Sequence, residues 1–323
     1  MIKYIDLYAG IGGFHLAMES LPLKSKCVWA CEKEPVLQAL YQKNYGMEPY
    51  PDITTMNIKE IPDHDLLCAG FPCQAFSSEG KQQAFDDPRG KLFFYILHIL
   101  KEKQPKHFLL ENVSGLKHKN MKETYKLIWK SLREQGYHTQ EHILSPHELG
   151  VPQSRKRIFF LGSKEPFHSE IIYPEFKKSS LSMKNILESN PDPETYYGPG
   201  STTHSWIEDL KQSNKITNQN IDHIYIRWTR THYAIKSRHT YVNAILTNPT
   251  NLPFLITEDR FLSIKEVARL QSIKDNQILL PESKSAAIKA LANGLNIKVV
   301  KTILKSFLLP NKTARKQGLL FYE

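Results

Sequence analysis

Four side chains in this 323-residue sequence have the right chemistry to attack an electron-poor ring together: Cys73, Glu111, Arg155 and Arg157. A free thiol has a pKa of about 8.5, so little of it is thiolate at neutral pH, but the thiolate that forms is a strong nucleophile. A carboxylic acid can donate a proton to the ring under attack, and guanidinium groups can offset the charge that develops. Cys73 stands in Gly70-Phe71-Pro72-Cys73-Gln74, directly after an apolar run, and Pro72 prevents that run from extending as a strand. Glu111 closes His107 to Val113 (HFLLENV). Arg155 and Arg157 alternate in Gln153-Ser154-Arg155-Lys156-Arg157, so an extended backbone would point both to one side. Each residue alone has an ordinary reading as a core thiol, a helix cap or surface arginines. Their placement at successive strand ends argues for a common cleft.

A second group suits a nucleoside. Asp6 to Phe14 (DLYAGIGGF) reads as a strand, a glycine turn and a helix start, where backbone N–H groups can approach a ligand closely. Glu32 lies 20 residues beyond Gly12, the spacing at which an acid on the next strand meets ribose hydroxyls. His15 stands where a dinucleotide fingerprint would have its third glycine, which turns the reading towards an adenosine-type cofactor. Asp52 and Ile53 precede the third strand and are placed to meet an adenine edge.

These residues need elements to position them. Ile2–Tyr8, Cys27–Cys31, Asp65–Ala69, His107–Val113 and Arg157–Gly162 read as strands. Helices fit between them: Phe14, Ala17, Met18 and Leu21 share a face, Pro35 suits a helix start, and Leu92–Leu100 and Met121–Gln135 are apolar or amphipathic. Alternation of this kind predicts an α/β fold with a doubly wound parallel sheet, whose ligands lie beyond the carboxyl ends of the strands. After about Pro174 the composition becomes polar, and Trp206, Tyr225, Trp228, Tyr233 and Tyr241 mix with Arg227, Arg230, Lys236 and Arg238. This reads as a second, smaller domain. From Ser283 a helical pattern returns and is expected to rejoin the sheet.

With 41% hydrophobic and 24% charged residues the chain is of ordinary globular composition, which excludes disordered, collagenous and disulfide-rich classes. A net charge of +10 is compatible with a polyanionic partner. The expectations are a cytoplasmic protein with reduced thiols, no membrane segment and no metal: the four cysteines form no CxxC pair, and no apolar run approaches the roughly 20 residues of a span.

In order along the chain, DLYAGIGGF, GFPCQAFS, DDPRGKLFF, ENV, QSRKR and RFLSIKEVARLQ resemble the motifs of the DNA cytosine-5 methyltransferase family. The resemblance covers most of residues 1 to 163 and about 260 to 309. It implies a Rossmann-like methyltransferase sheet formed by residues 1–175 and 284–323, with a smaller, irregular target-recognition domain at 176–283. It implies methyl transfer from S-adenosylmethionine (SAM), giving S-adenosylhomocysteine, to carbon 5 of a cytosine flipped out of duplex DNA. Cys73 would add to carbon 6, Glu111 would donate at N3 and have a raised pKa, and Arg155 would hold the base with support from Arg157. Tyr8, Gly10, Ile11, Gly12, Glu32, Asp52, Ile53, Pro72 and Asn293 would surround the cofactor. Gln74, Arg227, Arg230 and Arg238 are the candidate DNA contacts. Ala292 stands where the family usually has glycine, Asn296 where valine or proline is common, and Lys33 where some members have an aromatic. A stand-alone, monomeric bacterial modification enzyme is expected.

Three other readings compete. An RNA-directed cytosine methyltransferase would have a similar cysteine loop and differ in acting on tRNA. A nicotinamide oxidoreductase would need the missing third glycine. A catalytically inactive DNA-binding module would not need Cys73, Glu111 and Arg155 together.

Overall fold

The computed structural model describes residues 1–71, 91–167, 173, 181–196, 208–209, 212–213, 225–228, 233–236, 241–248, 252–255 and 258–309. Pro72, Cys73, Gln74, Arg230 and Arg238 lie outside the described residues, and Arg227 is described in its backbone alone. The chain divides into two compact units: Met1–Leu144, Lys156–Pro174 and Ile297–Glu323 form the first, and Ser145–Arg155 with Glu175–Asn296 the second.

The first unit is built on six strands: β1 (Ile2–Leu7), β2 (Ser25–Cys31), β3 (Leu66–Gly70), β4 (His107–Val113), β5 (His138–Leu144) and β7 (Arg157–Ser163). A two-residue strand of the second unit, β6 (Gln153–Ser154), falls between β5 and β7 in sequence. The sheet order is β2-β1-β3-β4-β7-β5, with β2, β1, β3 and β4 parallel and β7 antiparallel to both its neighbours. The central strands β1, β3 and β4 are almost wholly buried and therefore read as continuous apolar runs. From β1 the chain moves outward to β2, then returns to the other side of β1 to form β3 and β4. The turn after β1 thus occupies the point where the winding reverses, the usual ligand position of an open α/β sheet.

Helices α1 (Gly13–Glu19), α2 (Pro35–Tyr45), α3 (Lys91–Lys103) and α4 (Lys122–Glu134) fill the connections. Pro35 is the first residue of α2, where its fixed φ costs nothing, and Gly46 ends that helix at φ 67°. Beyond α5 (Ile264–Leu270), the pattern expected as one terminal helix is two, α6 (Lys284–Asn293) and α7 (Ile297–Leu308), interrupted at Gly294. Only α7 belongs to the first unit, where it packs on α1. α6 is grouped with the second unit because it packs against α5, and residues 145–155 join that unit because β6 pairs with β10 (Val242–Asn243). The second unit also contains the antiparallel pairs β8 (Tyr225–Trp228) with β9 (Tyr233–Lys236) and β11 (Phe254–Leu255) with β12 (Arg260–Phe261).

β5 has no apolar run in the sequence because it is an edge strand, paired among the described strands with β7 alone, and most of its residues are half-buried or exposed. Its Glu141 carboxylate accepts from Tyr125 Oη, from Trp129 Nε1 at 3.1 Å and from Lys117 Nζ at 2.5 Å, which ties the edge to α4 and the turn before it. One glycine of the sheet is dictated by packing alone. A Cβ on Gly162 would lie 1.9 Å from Phe108 Cε1, with the ring held inside the core. Gly162→Ala is expected to destabilise the protein by about 3 kcal/mol, the upper range of core overpacking. An unchanged urea midpoint would show that the ring yields instead.

Candidate active site

The glycine turn takes its shape from backbone conformation. Tyr8, Gly10 and Gly12 all lie in the left-handed region, at φ 58°, 57° and 80°. A side chain at Gly10 would meet nothing within 4 Å, so the turn opens onto free space there. At Gly12 a Cβ would come within 2.4 Å of the Tyr45 ring, so only glycine permits both the turn and the tyrosine beneath it. Tyr45 Oη donates to the Ile11 carbonyl at 2.7 Å, and Tyr8 Oη donates to the Leu92 carbonyl at 2.8 Å.

Glu32 follows β2 and is nearly buried. One carboxylate oxygen accepts the Gly10 N–H at 2.7 Å and the other the Glu34 N–H at 2.9 Å. Each oxygen keeps a further lone pair, so the group is fixed in orientation and still able to receive hydroxyl donors. A short bridge between Cys31 and Tyr50 brings the next loop alongside. In that loop Ile53 is buried, and Asp52 caps a 3₁₀ turn. The Thr54 N–H and hydroxyl, followed by Lys33, hold the Asp52 carboxyl below its usual range. Lys33 Nζ lies 3.1 Å from Asp52 Oδ2, so the residue expected where others have an aromatic is an ion-pair partner of the adenine-edge candidate.

The acid end forms on β4. Gly70 and Glu111 are direct neighbours in the β3–β4 register, which sets the carboxylate beside the strand end three residues before Cys73. Arg157 Nε lies 3.0 Å from Glu111 Oε1. The adjacent Asn112 is 2% exposed; its Nδ2 donates to the Phe71 carbonyl at 3.0 Å and its Oδ1 accepts the Val113 N–H at 2.8 Å. Asn112 therefore fastens the end of β4 to the start of the cysteine loop. The sequence signalled it only as the middle residue of ENV, with no role attached. Asn112→Ala is expected to leave a buried carbonyl unpartnered and misplace that loop, lowering kcat by about 10- to 100-fold, equivalent to roughly 1–3 kcal/mol. Steady-state kinetics would test it, and an unchanged kcat would deny the residue this role.

Arg155 and Arg157 have different partners. Arg157 is the arginine on Glu111, whereas Arg155, buried in the second unit, donates from Nη2 to the Gly294 carbonyl at 2.8 Å. The Arg155 N–H also donates to Ser145 Oγ at 2.9 Å. Asn293 is the exposed last residue of α6, and Ala292 is a buried helical position with no demand for glycine. Asn296 is buried and donates to the Leu270 carbonyl at 2.8 Å, linking the end of α6 to α5.

Among the described residues no group of three His, Cys, Asp or Glu side chains is arranged to hold a metal, and no helix is long and apolar enough to cross a membrane. A mostly parallel sheet with an antiparallel β7, a glycine turn at its reversal point and an acid just beyond the second strand defines a Rossmann-like methyltransferase fold. The comparisons make this particular: the C-5 cytosine-specific DNA methylase family model matches residues 2–308, and the chain belongs to that family. It is 35% identical to the Type II methyltransferase M.HaeII of Haemophilus aegyptius over 95% of this chain and 92% of that protein. It is 34% identical to the Type II methyltransferase M1.ScrFI of Lactococcus lactis subsp. cremoris, over 95% and 78%. In fold it matches the crystal structure of S. pombe Dnmt2 methyltransferase with a TM-score of 0.69 at 23% identity, covering 97% of this chain and 100% of that one. The protein is a DNA cytosine-5 methyltransferase.

Proposed function

We propose that the protein transfers the methyl group of SAM to carbon 5 of a cytosine flipped out of a specific duplex DNA site, with Cys73 as the covalent nucleophile. The reading is carried by the strand end at which Glu111, paired with Arg157, sits beside Gly70 while Asn112 anchors Phe71 before Cys73. The turn at Tyr8, Gly10, Ile11 and Gly12 suits SAM because it opens above Gly10 beside a Glu32 carboxylate with free lone pairs for ribose. Asp52 and Ile53 would meet the adenine, Pro72 would line the pocket and Asn293 would close it. When bound, SAM supplies an electrophilic methyl group.

The chain's own residues do the rest. Cys73 thiolate forms a bond to carbon 6 while Glu111 delivers a proton to N3, so the ring's electron pair becomes available at carbon 5. Arg157 fixes the Glu111 carboxyl and Arg155 holds the base. After methylation, loss of the carbon-5 proton to solvent restores the double bond between carbons 5 and 6 and expels Cys73 as thiolate, and N3 returns its proton to Glu111. Gln74, Arg227, Arg230 and Arg238 are the proposed DNA contacts. The working unit is a single chain acting on DNA in a bacterial cytoplasm. Incubation with SAM and a duplex containing 5-fluorocytosine tests the mechanism, because fluorine cannot leave as the proton does. A trapped adduct on Cys73 is expected. Protein that binds SAM but forms no adduct would overturn the covalent step.

A further inference from the structure

His15, one turn into α1, is almost fully buried and has no part in the mechanism above. Its Nδ1 lies 2.9 Å from Tyr41 Oη, and Tyr41 Oη lies 3.5 Å from Asp6 Oδ2. On the other side of the ring, Nε2 lies 3.3 Å from the carboxylate of Glu19, which is largely exposed. The His15 ring stacks on Tyr45 with centroids 4.0 Å apart and planes at 19°. Tyr45 is the residue that contacts Gly12 and holds the Ile11 carbonyl. The chain Glu19–His15–Tyr41–Asp6 therefore runs from solvent to a fully buried carboxyl on β1, two residues before Tyr8.

Burial pushes the Asp6 carboxyl well above its ordinary range, and the nearby charge of Glu32 acts in the same direction. Burial also lowers the His15 pKa, against the opposing pull of Glu19. Tyr4 packs edge-on to the ring, and Cys27 Sγ approaches Tyr41 Oη at 3.8 Å; both are neutral, with burial raising their pKa values. Tyr41 Oη donates to Asp6 Oδ2, His15 Nδ1 and Tyr41 Oη share a hydrogen bond, and His15 Nε2 faces the Glu19 carboxylate. We propose that His15 is a positioning residue for the glycine turn, held between Glu19 and Tyr41 in a hydrogen-bond chain that ends on Asp6. It acts through Tyr45 on Ile11 and Gly12, and the proposal rests on the turn being the SAM site.

Variants of the full chain test this. SAM titration of Tyr41→Phe and His15→Phe, which keep a ring at each site, is expected to show affinity weakened by about 5- to 10-fold each, the value of one neutral hydrogen bond. The double variant should lose less than the sum of the two single losses, because both remove the His15–Tyr41 link. The loss should appear in the KM for SAM and leave kcat unaffected. Additive losses, or wild-type affinity in both single variants, would overturn the coupling. Failure of wild-type protein to bind SAM would instead remove the cofactor reading and the positioning role with it.

Discussion

Cys73→Ser is expected to lower kcat for DNA methylation by at least about 10⁴-fold while leaving SAM binding intact. Removing a covalent nucleophile costs on the order of 10⁴- to 10⁶-fold where the remaining groups cannot replace it. No other thiol in the described residues can. Cys27, Cys31 and Cys68 are buried, with burial as the main cause pushing the first two up to about 12 and Cys68 well above its ordinary value. Asp6 adds to the effect at Cys27 and Cys68, and Glu32 at Cys31. Such thiols are almost wholly protonated at neutral pH and closed to reagents. Serine keeps the size of the side chain, but its hydroxyl is far less acidic, so an effect limited to attack is separated from one on loop structure. The same contrast predicts alkylation by iodoacetamide of one cysteine per chain under native conditions, and loss of activity in step with it. Rapid labelling of Cys27, Cys31 or Cys68, or methylation by the serine variant within about tenfold of wild type, would end the case for Cys73.

The sheet and its ligand edge were legible in the sequence for a physical reason. β1, β3 and β4 are almost wholly buried, so each appears as an apolar run with candidate site residues at or just beyond its end. The positions of Glu32, Gly12 and Glu111 were readable because each lies at a strand end or in the turn beyond one, and strand ends are marked by composition. β5 was hidden because its exposed edge position gives it the polarity of a loop. The break between α6 and α7 was hidden because apolar spacing continues through Gly294 and Asn296. Least legible was the choice between the arginines. Alternation alone placed Arg155 and Arg157 on one side, yet they hold a carbonyl of the second unit and the Glu111 carboxylate respectively. The strand proper begins only at Arg157, so the geometry of an extended strand does not extend back to Arg155.

Glu266→Ala is expected to destabilise the second unit by about 3–5 kcal/mol, the usual cost of leaving one partner of a buried ion pair alone. Glu266 and Arg260 are both fully buried, within the segment RFLSIKEVARLQ that resembles a family motif. Arg260 binds the carboxylate in bidentate fashion at 2.8 and 2.7 Å. The same two oxygens accept the Ser263 N–H at 2.8 Å and the Glu188 N–H at 2.9 Å. One carboxylate therefore closes the cap of α5, holds the end of β12 and fastens the 183–188 segment. A buried pair of this kind need not be more stable than an apolar replacement, because both charges were desolvated to form it. The expected order follows from counting what each variant leaves unpaired. Glu266→Ala strands a guanidinium and two N–H groups. Glu266→Gln keeps one acceptor oxygen and turns an amide towards the arginine, so it should fall between Glu266→Ala and wild type. Arg260→Met combined with Glu266→Leu removes both charges and strands only the two N–H groups, so it should recover more than half of the loss. Urea midpoints for the three variants would test this order. A double variant less stable than Glu266→Ala would mean that the backbone contacts, rather than the uncompensated arginine, account for most of the loss.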